Sequence, residues 1–327
     1  MKEITIRPPL TPESPYPPAD KPTMYFIGVT THQSSIMRVF PRWAEYLGLG
    51  DVVMQGMNFR WHDEPEHYRR AVDFIKNDPL SLGALVTTHK IDLLAACRDQ
   101  FDRLDEYATL MGEVSSISKD AGKLAGHAKD PITSGLALEA FLPPNYWRDT
   151  RAEALVMGAG GSAIAVTWHM LKKQHGDNRP SRLIVTNRST PRLNEIREFH
   201  HRIGADLPVE YHHTPEPEQA DAILGQMKPG SLVINATGLG KDAPGSPLTD
   251  AAQWPIKGIV WDFNYRGDLR FLDQARAQQQ QRQLQIEDGW VYFLHGWTRV
   301  IAEVFHIEIP TSGSVFEEIS RIAASSR

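Results

Sequence analysis

The sequence predicts an α/β protein of two domains, each a mostly parallel sheet covered by helices. Three observations predict it: the length, the repetition of an apolar strand followed by a helix, and a restart of that theme after Pro143-Pro144. At 327 residues the chain exceeds the size at which a single core usually keeps growing. Hydrophobic residues at 41% and charged residues at 23% are ordinary for a packed globular protein.

The first strand is expected over Met24–Val29, with a helix at Ser34–Leu47, where apolar residues recur at helical spacing. A second strand follows at Asp51–Met57, a helix at Pro65–Asn77 and a third strand at Leu82–Val86. One helix is expected over Ile91–Met111, a short hairpin over Val114–Ala128, and a helix over Pro131–Phe141 that the proline pair stops. Further strands are expected at Arg182–Thr186, Val209–His212, Leu232–Ala236 and Gly258–Phe263, with helices at Pro191–Ile203 and Trp290–Phe305. The glutamine-rich run Ala277–Gln285 reads as a solvated helix surface. The resulting division is 1–144, 145–282 and a C-terminal helical stretch, 283–327, that returns to the first domain.

A formal net charge of −5 excludes a basic nucleic-acid binder, and no segment is long and apolar enough to span a bilayer. The N-terminus lacks the pattern of a secretory signal. The lone Cys97 permits no internal disulfide, suits a reducing cytoplasm and reads as a core residue. The expected partner is a small-molecule substrate, and a homodimer is left open. The proline-rich stretch Ile6–Pro22 reads as an extended arm, either a disordered leader or a strap over a partner subunit.

The strongest motif lies between the strand beginning at Ala154 and the next helix: Gly158-Ala159-Gly160-Gly161-Ser162-Ala163. It fits G-x-G-x-x-A, where the first glycine makes a tight turn, the second lets a pyrophosphate approach the backbone, and the alanine packs helix on strand. Amides at the helix start then hold the anion. This is the signature of a Rossmann-type, doubly wound dinucleotide-binding domain. A dinucleotide without a 2′-phosphate calls for an acid at the end of the next strand. The sequence has Asn187, Arg188, Ser189 and Arg192 there, donors that suit a 2′-phosphate, so NADP is the expected cofactor. A further turn, Asn235-Ala236-Thr237-Gly238, is placed to pass under a nicotinamide or ribose. Lys90 follows the strand end LVTTH, where ligands of open α/β sheets collect, and Asp130 is the carboxylate best suited to hold its ammonium and trade protons with it.

This order of motifs resembles the shikimate dehydrogenase family from about Tyr25 to Phe305. His32-Gln33-Ser34-Ser35-Ile36 is similar to the family's H-S-x-S-P, and GALVTTHK, ending in Lys90, to G-x-N-V-T-x-P-x-K. Asn187 to Arg192 matches N-R-[ST]-x-x-R, Asn235 to Gly238 is close to N-A-T-S, and Asp262 and Tyr265 match D-x-x-Y. The resemblance implies an N-terminal substrate domain and an NADP domain with the site in the cleft they share. It implies Lys90 and Asp130 as the catalytic pair, Gly289 beside the cofactor, and Ser34, Ser35, Thr87, Ser115, Tyr265 and His295 toward the substrate. It also implies a cytoplasmic enzyme of aromatic amino acid biosynthesis acting on shikimate or quinate.

The departures gather where the family grips its substrate. Gln33 and Ile36 replace a serine and a proline, Leu85 and Ser115 replace asparagines, His89 stands in a lysine loop one residue short, and Gly296 replaces a glutamine. Each hydrogen bond to a charged group is worth about 1.5–3 kcal/mol, so losing several weakens binding of a shikimate-sized acid. The expectation is therefore a paralogue with a changed substrate, its pocket drawing on Gln33, His89, Trp290, Tyr292 and His295, although the aromatics equally suit plain core. Two other readings remain: an NADP(H)-binding sensor that has lost catalysis, and an enzyme like methylenetetrahydrofolate dehydrogenase. Retention of Lys90 and Asp130 weighs against the sensor, and the motif order against the folate enzyme.

Overall fold

The computed structural model describes residues 6–241 and 243–325; Met1–Thr5 of the N-terminal stretch, Asp242 and the last two residues lie outside it. Its element order is β1 (Thr23–Gly28), α1 (Ile36–Tyr46), β2 (Val53–Asn58), α2 (Pro65–Asn77), β3 (Ser81–Val86), α3 (Lys90–Cys97), β4 (Arg103–Leu104), α4 (Glu106–Met111), β5 (Ser116–Asp120) and β6 (Lys123–His127). Then come α5 (Asp130–Phe141), α6 (Tyr146–Thr150), β7 (Ala154–Met157), α7 (Gly161–Leu171), β8 (Leu183–Asn187), α8 (Thr190–Arg202), β9 (Val209–His213) and α9 (Pro217–Leu224). The chain finishes with β10 (Leu232–Asn235), β11 (Ile259–Asp262), α10 (Arg270–Arg282), β12 (Gln285–Glu287), α11 (Trp290–Val304) and α12 (Gly313–Ala324). Contacts divide it into two compact units: residues up to Lys129 with those from Leu294 onward, and Asp130–Phe293. The second division falls inside α11.

In the first unit the sheet order is β2-β1-β3-β5-β6-β4. β1 pairs parallel with β2 and β3, and the β5–β6 hairpin adds antiparallel to β3. That hairpin turns at Ala121 and Gly122, both at positive φ (47° and 79°), the backbone twist that matches paired strands. Tyr25, Ile27, Met57, Tyr68, Val72 and Leu93 form its core together with the buried Cys97, whose thiol burial pushes up to about 12.

Two expectations are corrected here. The span Ile91–Met111 is not one helix: a 3-10 turn at Arg98–Gln100 and the short β4 interrupt it, because local carboxylates favour other partners. Asp102 accepts the amide of Leu124 at 2.8 Å, and Asp105 restarts the helix by accepting the Ala108 amide at 2.6 Å. The arm Ile6–Pro22 is neither a loose leader nor in need of a partner subunit for its contacts. Leu10 exchanges backbone bonds with Gly56 and Asn58 at 2.9 and 2.8 Å, Arg70 donates to the Pro12 carbonyl, and the Tyr16 ring lies 5.2 Å from Phe74.

The second unit holds a six-stranded sheet in the order β12-β11-β10-β7-β8-β9, every pair parallel. The order runs outward both ways from β7, so strands reverse direction of addition between β7 and β10. That is the switch point at which open sheets of this kind bind ligands. Buried Ala154, Val156, Val166, Val185 and Ile234 pack one face, and Leu155, Val233, Trp254 and Phe271 the other. The glutamine run stays helical to Arg282, and its last residue begins β12. Among the described residues no helix is long and apolar enough to cross a membrane.

Candidate active site

The turn after β7 is built for close approach. Gly158 sits at φ +119°, and a Cβ there would meet the Ala236 carbonyl oxygen at 2.5 Å, so only glycine lets the β7 and β10 turns touch across the switch point. Gly160 is different: a Cβ on it would meet nothing within 4 Å, leaving its surface open at the start of α7, where Gly161 and Ser162 present their amides. Ala159 and Ala163 are buried against the sheet. β8 ends at Asn187, whose Oδ1 accepts the Ser189 amide at 3.2 Å; Arg188 is exposed, and Arg192 pairs with Glu195 at 2.7 Å.

At the end of β10, Asn235 uses its whole amide internally. Its Oδ1 accepts the backbone and hydroxyl of Thr237 at 3.1 and 2.7 Å, while its Nδ2 donates to Asp262 and to the Leu239 carbonyl. Asn235 therefore shapes the Ala236–Gly238 turn. Asn264, which sequence reasoning missed, donates to the same Leu239 carbonyl at 3.0 Å and gives its backbone amide to Asp262. Burial raises the Asp262 carboxyl to about 7 against those hydrogen bonds. Gly289 packs on β11, where a Cβ would meet the Phe263 carbonyl oxygen at 2.0 Å. Tyr265 lies 4.6 Å from Phe293 and 5.4 Å from Trp290, centroid to centroid, and the Tyr292 hydroxyl donates to Asp130 Oδ2 at 3.3 Å. Asp130 is buried at the start of α5.

In the first unit, Thr87, Lys90 and Ser115 share the carboxyl end of β3. Val86 donates its amide to the Ser115 carbonyl at 2.9 Å, Val114 donates to the Lys90 carbonyl at 3.2 Å, and the Thr87 methyl is 3.1 Å from where a Gly28 Cβ would sit. The loop between is a tight turn: Thr88 adopts φ +62°, uncommon for a β-branched residue, and the His89 amide bonds the Thr87 carbonyl. His89 turns inward, its Nδ1 2.9 Å from the Tyr68 hydroxyl and its ring beside Phe59, and burial lowers its pKa. Lys90 is the first residue of α3. Ser34 and Ser35 are buried at the start of α1, and the Ser115 hydroxyl accepts the Lys129 amide at 2.7 Å. His295 is buried with its ring stacked 4.6 Å from Phe316, and burial lowers its pKa to about 4.

The shikimate dehydrogenase (NADP(+)) of Symbiobacterium thermophilum is 30% identical to this chain over 215 residues, covering 65% of this chain and 67% of that protein. The chain belongs to the shikimate dehydrogenase family. Solved structures share its fold. Quinate dehydrogenase from Corynebacterium glutamicum in complex with NAD has a TM-score of 0.71 at 20% identity, over 93% of this chain and 99% of that one. The ligand-free 5-ketofructose reductase of Gluconobacter sp. strain CHM43 has a TM-score of 0.66 at 17% identity, over 93% and 98%. No family model matches the chain.

As a shikimate dehydrogenase family member the chain shows two physical departures near its first-unit residues. Leu85, where the family pattern has asparagine, is buried on β3. Gly296, where the pattern has glutamine, borders open space, for a Cβ there would meet nothing within 4 Å. Sequence reasoning also missed a buried network at the end of the β5–β6 hairpin. His127 lies 2.9 Å from the Ser118 hydroxyl, 3.2 Å from Glu303 and 3.4 Å from Asp105, and Lys129 pairs with Glu303 at 2.7 Å. Only the Asp105 cap had a local signal; the Lys129–Glu303 pair joins residues 174 positions apart.

Proposed function

We propose that this chain moves a hydride reversibly between NADP(H) and a hydroxyl or carbonyl carbon of a polyhydroxy compound less acidic than shikimate, in a two-domain enzyme whose substrate domain is residues 1–144 with the C-terminal helices. The coarser part follows from family membership: it is an NADP-dependent oxidoreductase acting on a CH–OH group. The observation that carries the reading is the Gly158 turn at the switch point, closed by contact with Ala236 on one side and open above Gly160 on the other. An anionic pyrophosphate fits that opening at the start of α7.

NADP(H), when bound, supplies or accepts the hydride at its nicotinamide. The amides of Gly160, Gly161 and Ser162 would hold the pyrophosphate, and Asn187, Arg188, Ser189 and Arg192 the 2′-phosphate, with Arg192 exchanging its contact with Glu195. Ala236, Thr237 and Gly238, in the turn that Asn235 fixes, and Gly289 would border the cofactor through backbone. Lys90 is the proposed acid/base, its Nζ giving or taking the substrate hydroxyl proton, and Asp130, which accepts from the Tyr292 hydroxyl, is the proposed catalytic carboxylate. Ser34, Ser35, Thr87, Ser115, Tyr265 and His295 position the substrate. Support for a changed substrate comes from Leu85, the inward His89 and the space beside Gly296, which together remove polar contacts and add room. The 5-ketofructose reductase of like fold, named for a keto sugar, fits that direction.

The test is Lys90→Ala assayed with NADP(H) against shikimate, quinate, their 3-keto forms and neutral keto sugars. Turnover of one of them should fall about 10²–10⁴-fold in the variant while NADPH affinity is kept. Unchanged turnover in Lys90→Ala, or a wild-type chain that does not bind NADPH, would overturn the reading.

A further inference from the structure

At the far end of α7 from the glycine turn lies a cavity of about 370 Å³, within the second unit. Leu138 from α5, Leu142 and Pro143 just after it, Trp147, Met170 and Asn178 line it in part. Three further lining residues are Glu139 on α5, His169 on α7 and His175, the last residue of a 3-10 turn at Lys173–His175. One ligand atom from each lies within 4.8 Å of the others. His169 Nε2 is 3.2 Å from Glu139 Oε1, and the two imidazole centroids are 4.8 Å apart.

We propose that Glu139, His169 and His175 form a binding site for a divalent transition-metal ion of the zinc type, with a fourth coordination position open to the cavity. Two imidazole nitrogens and one carboxylate oxygen are the donor set of open zinc sites. Metal–ligand distances of about 2.0–2.1 Å put tetrahedral ligand atoms about 3.3 Å apart, and the Glu139–His169 pair already has that separation. The ring of His169 is held in place by a deliberate gap: a Cβ on Gly135 would meet its Nδ1 at 2.3 Å, so glycine at that point of α5 makes room for the imidazole. His169 is buried at the wall of the cavity, so its ring is fixed by packing. Lys172 opposes a cation by charge, but its ammonium lies 4.1 Å over the Trp168 ring. His169 is eight residues along α7 from Gly161, about 12 Å at 1.5 Å per residue, so the site is separate from the glycine turn.

The experiment is titration of the chelator-stripped full chain with zinc chloride alone, and with cobalt(II) to read coordination by its visible absorption. One ion per chain is expected, with tetrahedral cobalt absorption. His175→Ala and Glu139→Gln should each weaken binding about 100-fold or more, since even residues that merely orient metal ligands are worth 10–100-fold. Their thermal melts without metal should match wild type, showing that the fold survives. A wild type that binds no more tightly than both variants would overturn the proposal. So would a His212→Ala/His213→Ala control, altered on the surface of β9, that loses binding to the same degree.

Discussion

The two units differ in how much of their chemistry is local. In the second, the parts of the proposed cofactor site occupy three short stretches at strand ends, Gly158–Ala163, Asn187–Arg192 and Asn235–Gly238, with Gly289 ahead of α11, and the turns at Asn187 and Asn235 are held by bonds to near neighbours. In the first, the residues assigned to substrate sit at the start of α1, after β3, before β5 and within α11, and several polar positions have become apolar or inward-facing. A backbone cradle tolerates little change because glycine geometry and amide direction define it. A side-chain pocket is rebuilt by substitution without disturbing the sheet beneath.

The largest expected effect probes the rigid side of that comparison. Gly158→Ala forces a side chain into φ +119° and against the Ala236 oxygen, so stability should fall by about 3 kcal/mol and NADPH binding should vanish. A variant that melts and binds like wild type would show that the turn is not constrained. Next comes pH. Burial lowers His200, bonded to Thr167 and Tyr211, from 6.5 to about 4. Below pH 6.5 the unfolded chain takes up a proton that the native ring refuses, so stability is lost as pH falls toward 4, by about 3 kcal/mol in all. Asp262, raised to about 7, runs the opposite way, native protonation favouring the fold as pH falls below 7. The difference between wild type and His200→Gln isolates the histidine: it should shrink by that amount from pH 7.5 to pH 4 in chemical denaturation, and a constant difference would refute the assignment.

A smaller effect separates the cofactors. Arg188→Ala with Arg192→Ala should raise the NADPH dissociation constant about 10–100-fold, at about 1.5–3 kcal/mol for hydrogen bonds to a charged group, and leave that for NADH unchanged. Equal weakening of both would place the arginines away from the 2′-phosphate. The smallest lies in the first unit. His89→Phe removes the bond to Tyr68, costing about 1 kcal/mol of stability, and should shift the KM for substrate without altering NADPH affinity. A change in NADPH affinity would blur the division between the units.

The same contrast decides what was legible beforehand. Strand–glycine–helix order and the absence of an acid after β8 are local features, and they pointed to the second unit's sheet and its cofactor turn without coordinates. The break in the Ile91–Met111 span was less visible: Asp102 and Asp105 interrupt it through bonds to Leu124 and Ala108, and only the second is close in sequence. The His127–Glu303 contact and the docking of the N-terminal arm on β2 join distant residues, so no local pattern foretells them. Asn235 illustrates a subtler gap, a motif residue found at its expected place but spending its side chain on the turn itself.

The most direct test of the central claim compares kcat/KM for shikimate and for neutral polyhydroxy ketones or alcohols at saturating NADP(H). The account predicts that a neutral compound is turned over with a kcat/KM at least about 10-fold above that for shikimate, since one lost charged hydrogen bond already costs that much. Efficient and preferred turnover of shikimate itself would contradict it.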